Sequence, residues 1–448
     1  MSSNAHLDVT DRLAQAMEGA DAGAWAELDG HVRGLVRWGG RVPPRGTWLS
    51  PTPSRPPTAV ELALALCDPD GRTREAALPY VTHLPALLPL VVIRCADWAE
   101  PVRDRARALL RAELPGLAPE ALATVASVVL REARRLRGES ARELLTARLS
   151  EGPAAHLTSL LTAEDRAVRR LAHRVAVERG LLSPARLATI AAGDPDVVVQ
   201  DLCASAAIAA AGDTVDETVL APLLGSRTGR VRAAGVTALR RSGRAAEAEP
   251  FLYDRSVLVR ACARWALRQV GTDPLPLYRA ACAAGDRTPD FAPVGLAECG
   301  DRATDVPTLW SLIAHERPRV RAGAVVGLRL LDAVRPQRLV PLLDDGSPRV
   351  VREATKALAP WPDHLPPATP AEVPTGVTVG APATGRVDAP VGTTAGAAVR
   401  AGAGATVGTA VRAGAGAPVR ATAPKPGAWV LRVLRLARGR DRTRTPGM

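Results

Sequence analysis

Aromatic residues make up only 3% of this 448-residue chain, with two Phe, three Tyr and eight Trp. A core without large rings must be built from Ala, Val and Leu in close contact. Lysine occurs only at 356 and 425, so 56 of the 58 basic positions are Arg. A GC-rich genome produces that bias without selection for any ligand. The six cysteines (Cys67, Cys95, Cys203, Cys262, Cys282, Cys299) show no CxxC spacing, which argues against a zinc ribbon or a dithiol redox motif. They suit a reducing compartment, and a cytoplasmic location is expected. No apolar run reaches membrane-spanning length, and Met1–Arg12 is polar with no signal-peptide core.

Catalytic signatures are missing as well. His6, His31, His83, His156, His173, His315 and His364 are scattered. There is no HExxH, no Gly-x-Ser-x-Gly and no Gly-rich phosphate loop. No catalytic residue, metal ligand or cofactor site is expected. The net charge of +12 is unevenly spread: residues 361–448 carry +7, and the rest carries +5. So small a surplus over the main body argues against a surface that is basic throughout, as a general nucleic-acid footprint would be.

What the chain does have is a recurring skeleton, clearest at Asp254–Leu267. A turn Asp is followed six residues on by the Arg of a Val-Arg pair, then by a small residue at +3 and paired apolar residues at +6 and +7. Aligned on that arginine, the units are Arg74, Arg103, Arg169, Arg232, Arg260, Arg321 and Arg352, with Gln200 in the same place. Weaker units lie near Arg142 and Ala292, the latter with Asp286 six residues earlier. The residue before the anchor is Val at all but Thr73, and the +3 residues are Ala77, Ala106, Ala172, Cys203, Gly235, Ala263, Ala324 and Thr355. The period is close to 31, the spacing of a solenoid repeat.

Apolar residues at −1, +3, +6 and +7 fall on one face of a helix. The small +3 residue lets a neighbouring backbone approach, and the Asp at −6 is placed to cap the helix that follows. A second amphipathic stretch precedes each such helix, as at Leu84–Cys95, Pro184–Ala192, Glu217–Leu224 and Leu339–Leu343. Each unit is then two antiparallel helices that cannot bury their apolar faces alone and must stack. The expected fold is all-α, a right-handed solenoid of about ten two-helix repeats.

On these residues the chain resembles the HEAT-repeat family, in its short bacterial, phycobilisome-lyase-type form. The Asp and the Arg six residues later are that family's hallmark pair. The resemblance implies that they hydrogen-bond between adjacent repeats as a structural ladder, here Asp68, Arg74, Asp97, Arg103, Asp194, Asp254 and Arg260. His315 and Gly346 replace the Asp near Arg321 and Arg352. The resemblance also implies that second helices line a concave surface. Positions +4 and +8 of those helices hold Arg107, Arg111, Arg240, Arg264, Arg268, Arg329 and Lys356, a basic stripe suited to an acidic protein or peptide. On this reading Arg260 is structural, whereas Arg264 faces the ligand and its loss costs little stability.

HEAT-like enzymes supply the competing readings. Deoxyhypusine hydroxylase holds two irons with several His-Glu pairs, and this chain has one, His315-Glu316. Alkylpurine DNA glycosylases use Trp and Asp on a basic face, which Trp98 and Trp265 could imitate. A non-enzymatic scaffold for a protein or peptide is the leading expectation, and a nucleic-acid binder of the glycosylase type is the alternative.

Four segments follow. Residues 1–57 form a helical cap, with two helices split near Asp21 and a Pro-rich loop, and 58–361 hold the repeats. Residues 362–427 are a Pro/Ala/Gly/Thr/Val stretch, with Ala-Val-Arg-Ala-Gly-Ala-Gly-Ala at 398–405 and again at 410–417, and disorder is expected there. In the last segment, 428–448, Ala428–Arg440 is basic and amphipathic: Trp429, Val430, Val433, Leu434 and Ala437 stand opposite Arg432, Arg435 and Arg438. Such a stretch suits an anionic membrane surface or a docking partner.

Overall fold

The computed structural model describes residues 2–19, 21–37 and 55–362. The expected Pro-rich loop up to residue 54, the 363–427 stretch and the basic end lie outside them. The described residues fall into two compact units divided after Ala333. Every regular element among them is helical.

The first unit opens with the helices Ser2–Glu18 and Ala22–Arg37, which break where Asp21 Oδ1 accepts the Gly23 N–H at 2.8 Å. They pack together through Val9, Leu13, Ala16, Trp25, Leu28 and Val32, all buried. Nine helix pairs follow in this unit among the described residues. The first is Ala59–Leu66 with Gly71–Ala77, and the last is Arg302–Leu312 with Pro318–Leu330. The second unit adds one pair, Pro336–Leu339 continued as a 3-10 turn by Val340–Asp344, with Pro348–Leu358.

Local chemistry sets where the helices begin. Thr58 and Glu61 form a reciprocal capping box, and Asp70, Asp165, Asp196, Asp216, Asp273 and Asp301 each accept from a backbone N–H in the first turn of their helix. The capping position in the second helices is four residues before the anchor. The Asp at −6 therefore does not cap, contrary to the sequence expectation. It sits two residues earlier and closes the turn: Asp97 accepts the Ala99 N–H at 3.0 Å and Asp254 accepts the Ser256 N–H at 2.7 Å.

That geometry corrects the last repeat. Asp345 accepts the Ser347 N–H at 2.8 Å and the helix starts at Pro348, so the anchor position is Val351 and not Arg352. Val350, Ala354, Ala357 and Leu358 then take the −1, +3, +6 and +7 places, and all are buried. The Val-Arg pair misled because Val350-Val351 offers two valines in succession, and only burial decides between them.

The core repeats the same selection along the chain. Val102, Val168, Val199, Val231, Val259 and Val320 are buried at −1, and Ala77, Ala106, Ala172, Cys203, Ala263 and Ala324 at +3. At Gly235 the need for a small residue is steric: a Cβ there would lie 2.9 Å from Leu224 Cδ2 and 3.1 Å from Leu223 Cβ. The stretch 271–301 holds Pro274–Cys282 and Ala292–Cys299 with a short 3-10 turn between them. There Tyr278 is fully buried, its hydroxyl donates to the Leu252 carbonyl at 2.8 Å, and its ring fills the space a Gly295 side chain would need.

Candidate functional site

Each anchor arginine has a forked guanidinium that can satisfy two places at once. Its Nη1 donates back to carbonyls of its own turn. Arg74 reaches the Asp68 and Pro69 carbonyls at 2.7 and 2.9 Å, Arg232 those of Ser226 and Arg227 at 2.7 and 3.0 Å, and Arg321 those of His315 and Glu316 at 2.8 Å. Arg169 follows the same pattern, Arg103 reaches the Asp97 carbonyl at 3.0 Å, and Gln200 reaches the Asp194 carbonyl at 2.6 Å. The rest of the fork turns to the next repeat. Arg74 is bidentate to Asp97 at 2.9 and 2.8 Å, and Arg232 is bidentate to Asp254 at 2.8 and 2.7 Å. Asp194 stands 3.9 Å from Arg169, and Asp68 accepts the Asp70 N–H at 2.7 Å.

Within one unit, then, the Arg binds the carbonyl of its Asp, and the carboxylate belongs to the preceding Arg. Arg260 donates to the Asp254 carbonyl at 2.7 Å, while burial of the Asp254 carboxyl is outweighed by hydrogen bonds from Arg232 and Ser256, which hold it below the ordinary aspartate range. Arg170 adds a parallel contact to Asp196, at 2.8 and 3.0 Å, and lowers that carboxyl.

Two buried centres escaped the sequence reading. In one, Arg260 and Arg264 share Glu298 of the helix Ala292–Cys299: Arg260 Nε at 3.1 Å with a second contact from Nη2, and Arg264 Nη1 at 2.6 Å. Glu298 and not Asp286 is the acid that answers Arg260. In the other, Arg94 joins Asp29 and Asp97, and Arg33 bonds Asp29 at 3.1 Å, tying the N-terminal helices to the first repeats. Burial raises the Asp29 carboxyl against the pull of Arg33. Glu132, 1% exposed, has Arg135 at 2.8 Å but off the direction of a hydrogen bond, and burial raises its carboxyl too. A charged residue inside an otherwise apolar helical face was the signal for each.

The basic stripe divides into buried or bonded positions and exposed ones. Arg264 is not a surface cation: its side chain is 11% exposed and is held by Glu298, with the Tyr278 hydroxyl at 3.4 Å. Arg107 donates to the Cys95 carbonyl at 3.1 Å and the Arg137 carbonyl at 3.3 Å. Lys356, in the second unit, moves to +5 in the corrected register and pairs with Glu353 at 2.9 Å. Arg111, Arg240, Arg268 and Arg329 are exposed and share position +8. Arg240 lies 5.0 Å over the ring of Trp265 on the neighbouring second helix, which also carries Arg268. Trp98 is exposed and takes the Arg74 guanidinium at 5.6 Å. His315 is a turn residue: Nδ1 accepts the Arg317 N–H at 3.0 Å, which leaves Nε2 to donate to the Gly285 carbonyl.

Among the described residues no cluster of three or more His, Cys, Asp or Glu could hold a metal, and no helix is long and apolar enough to cross a membrane. The six cysteines are free, five of them buried.

No protein-family model and no curated protein matches the chain. Among solved structures it is similar to an engineered protein, at 17% identity over 79% of this chain and 98% of that one, with a TM-score of 0.21. Kap121p aligns at 13% identity over 80% of this chain, with a TM-score of 0.27, and a Kap121p mutant at 12% over 79%, with the same score. The aligned region spans about half the length of Kap121p, 47%. At these scores neither name transfers, and the description of the fold rests on the helices themselves.

Proposed function

We propose that the chain is a non-enzymatic repeat scaffold of the short HEAT type that binds an acidic protein or peptide on the face of its second helices. The observation that carries this reading is the exposed pair Arg240 and Arg268 around Trp265, on adjacent helices in one register. Turn and ladder contacts engage Arg74, Arg103, Arg169, Arg232, Arg260 and Arg321, whereas Arg111 and Arg268 make no ion pair among the described residues. An aromatic ring flanked by arginines is the composition of an interface hot spot. A cytoplasmic setting suits the free thiols.

Fluorescence anisotropy tests the reading with a labelled Glu/Asp-rich peptide and a duplex DNA of equal length. The peptide is expected to bind, and Arg240→Glu with Arg268→Glu is expected to abolish that binding while the melting temperature holds. Preferential binding of the duplex, with affinity falling steeply between 50 and 200 mM salt, would replace the scaffold with the nucleic-acid alternative.

A further inference from the structure

A cavity in the first unit is of opposite charge to the stripe. About 860 Å³ in volume, it lies where the N-terminal helices meet the helices Pro119–Glu132 and Arg166–Glu178. Five carboxylates line it, Glu18, Asp21, Glu120, Glu164 and Asp165, and among the described residues no Lys, Arg or His does. Asp21 and Asp165 are engaged with backbone N–H groups, and Ser127 donates to Asp165. Three helix N-termini open here, each worth roughly half a positive charge, so about three and a half negative charges remain.

The apolar wall includes Pro85, Pro89, Val125 and the half-exposed Met17. Trp25 also lines it, is 1% exposed, and its indole N–H has no acceptor. A buried orphan donor carries a desolvation cost that a ligand carbonyl would relieve. A cavity with this volume, an apolar wall and several polar groups is of binding-site kind.

We propose that this cavity receives a basic amphipathic peptide segment, and that the segment is the chain's own Ala428–Arg440. Its sequence matches the lining in both respects. Arg432, Arg435, Arg438 and Arg440 answer the carboxylates, and Trp429, Val430, Val433 and Leu434 answer the apolar wall. A backbone carbonyl of the segment accepts from Trp25. This site is separate from the second-helix face, so either can fail without the other.

The test is a charge swap in the full chain, read by hydrogen exchange at residues 119–125 and 164–168. Arg432→Glu with Arg435→Glu should speed exchange there about tenfold. Adding Glu18→Arg and Glu164→Arg, both exposed positions, should restore the slow rate. A synthetic 428–440 peptide should then bind the Arg432→Glu, Arg435→Glu protein, and bind it about fivefold less well once Trp25→Phe is added, the worth of one hydrogen bond. Exchange untouched by the tail reversal, or a scrambled peptide or spermidine binding as well as 428–440, would overturn the proposal.

Discussion

Removing the Glu298 side chain is expected to destabilise the later repeats by uncovering two buried cations. Its carboxylate is shared by Arg260 and Arg264, with side-chain exposures of 11, 4 and 11%, so little water screens the group. Glu298→Ala leaves two guanidiniums facing each other in a site built for neutrality. Breaking a buried pair in this way costs about 3–5 kcal/mol. Arg260 keeps the Asp254 carbonyl and Arg264 keeps the Tyr278 hydroxyl, which places the loss near the lower end, about 3 kcal/mol. At roughly 1.5 °C per kcal/mol for a unit of this size, the melting temperature should fall by about 4–5 °C.

Circular dichroism melts should rank Glu298→Ala lowest. Arg264→Ala leaves the acid still paired with Arg260, so it should cost about 1–3 kcal/mol. Arg268→Ala, exposed, should cost within about 0.5 kcal/mol. Arg264→Ala melting together with Arg268→Ala would refute the shared-carboxylate geometry.

Glu132→Gln should stabilise the protein at pH 7, because burial raises the carboxyl and charging it opposes the folded state. The sign follows from linkage: stability falls as pH rises from the ordinary glutamate value, about 4.3, through the raised folded value, so the gain should vanish in melts below that window. Gly295→Ala should displace the Tyr278 ring and break its bond to the Leu252 carbonyl. Overpacking of this kind costs about 1–3 kcal/mol, and loss of protection at the Leu252 region in hydrogen exchange would report it.

The sequence alone determined the helical class, the 31-residue period and the inward face of the second helices up to Pro318–Leu330. Those follow from local rules: Val at −1 and a small residue at +3 recur because every unit solves the same packing problem. The break at Asp21 was equally legible, since capping chemistry is local. Tertiary structure decided which charges meet. Positions +4 and +8 share a helix face, yet Arg264 is buried and Arg268 exposed, because Glu298 lies 34 residues after Arg264, on a helix that carries no Asp-Arg signature. The register at Val351 was decided the same way, by which of two adjacent valines the preceding helix covers. The acidic cavity was out of reach of any one-dimensional reading. Its carboxylates come from three separate stretches, 18–21, 120 and 164–165, and only packing of the N-terminal helices against the repeats gathers them.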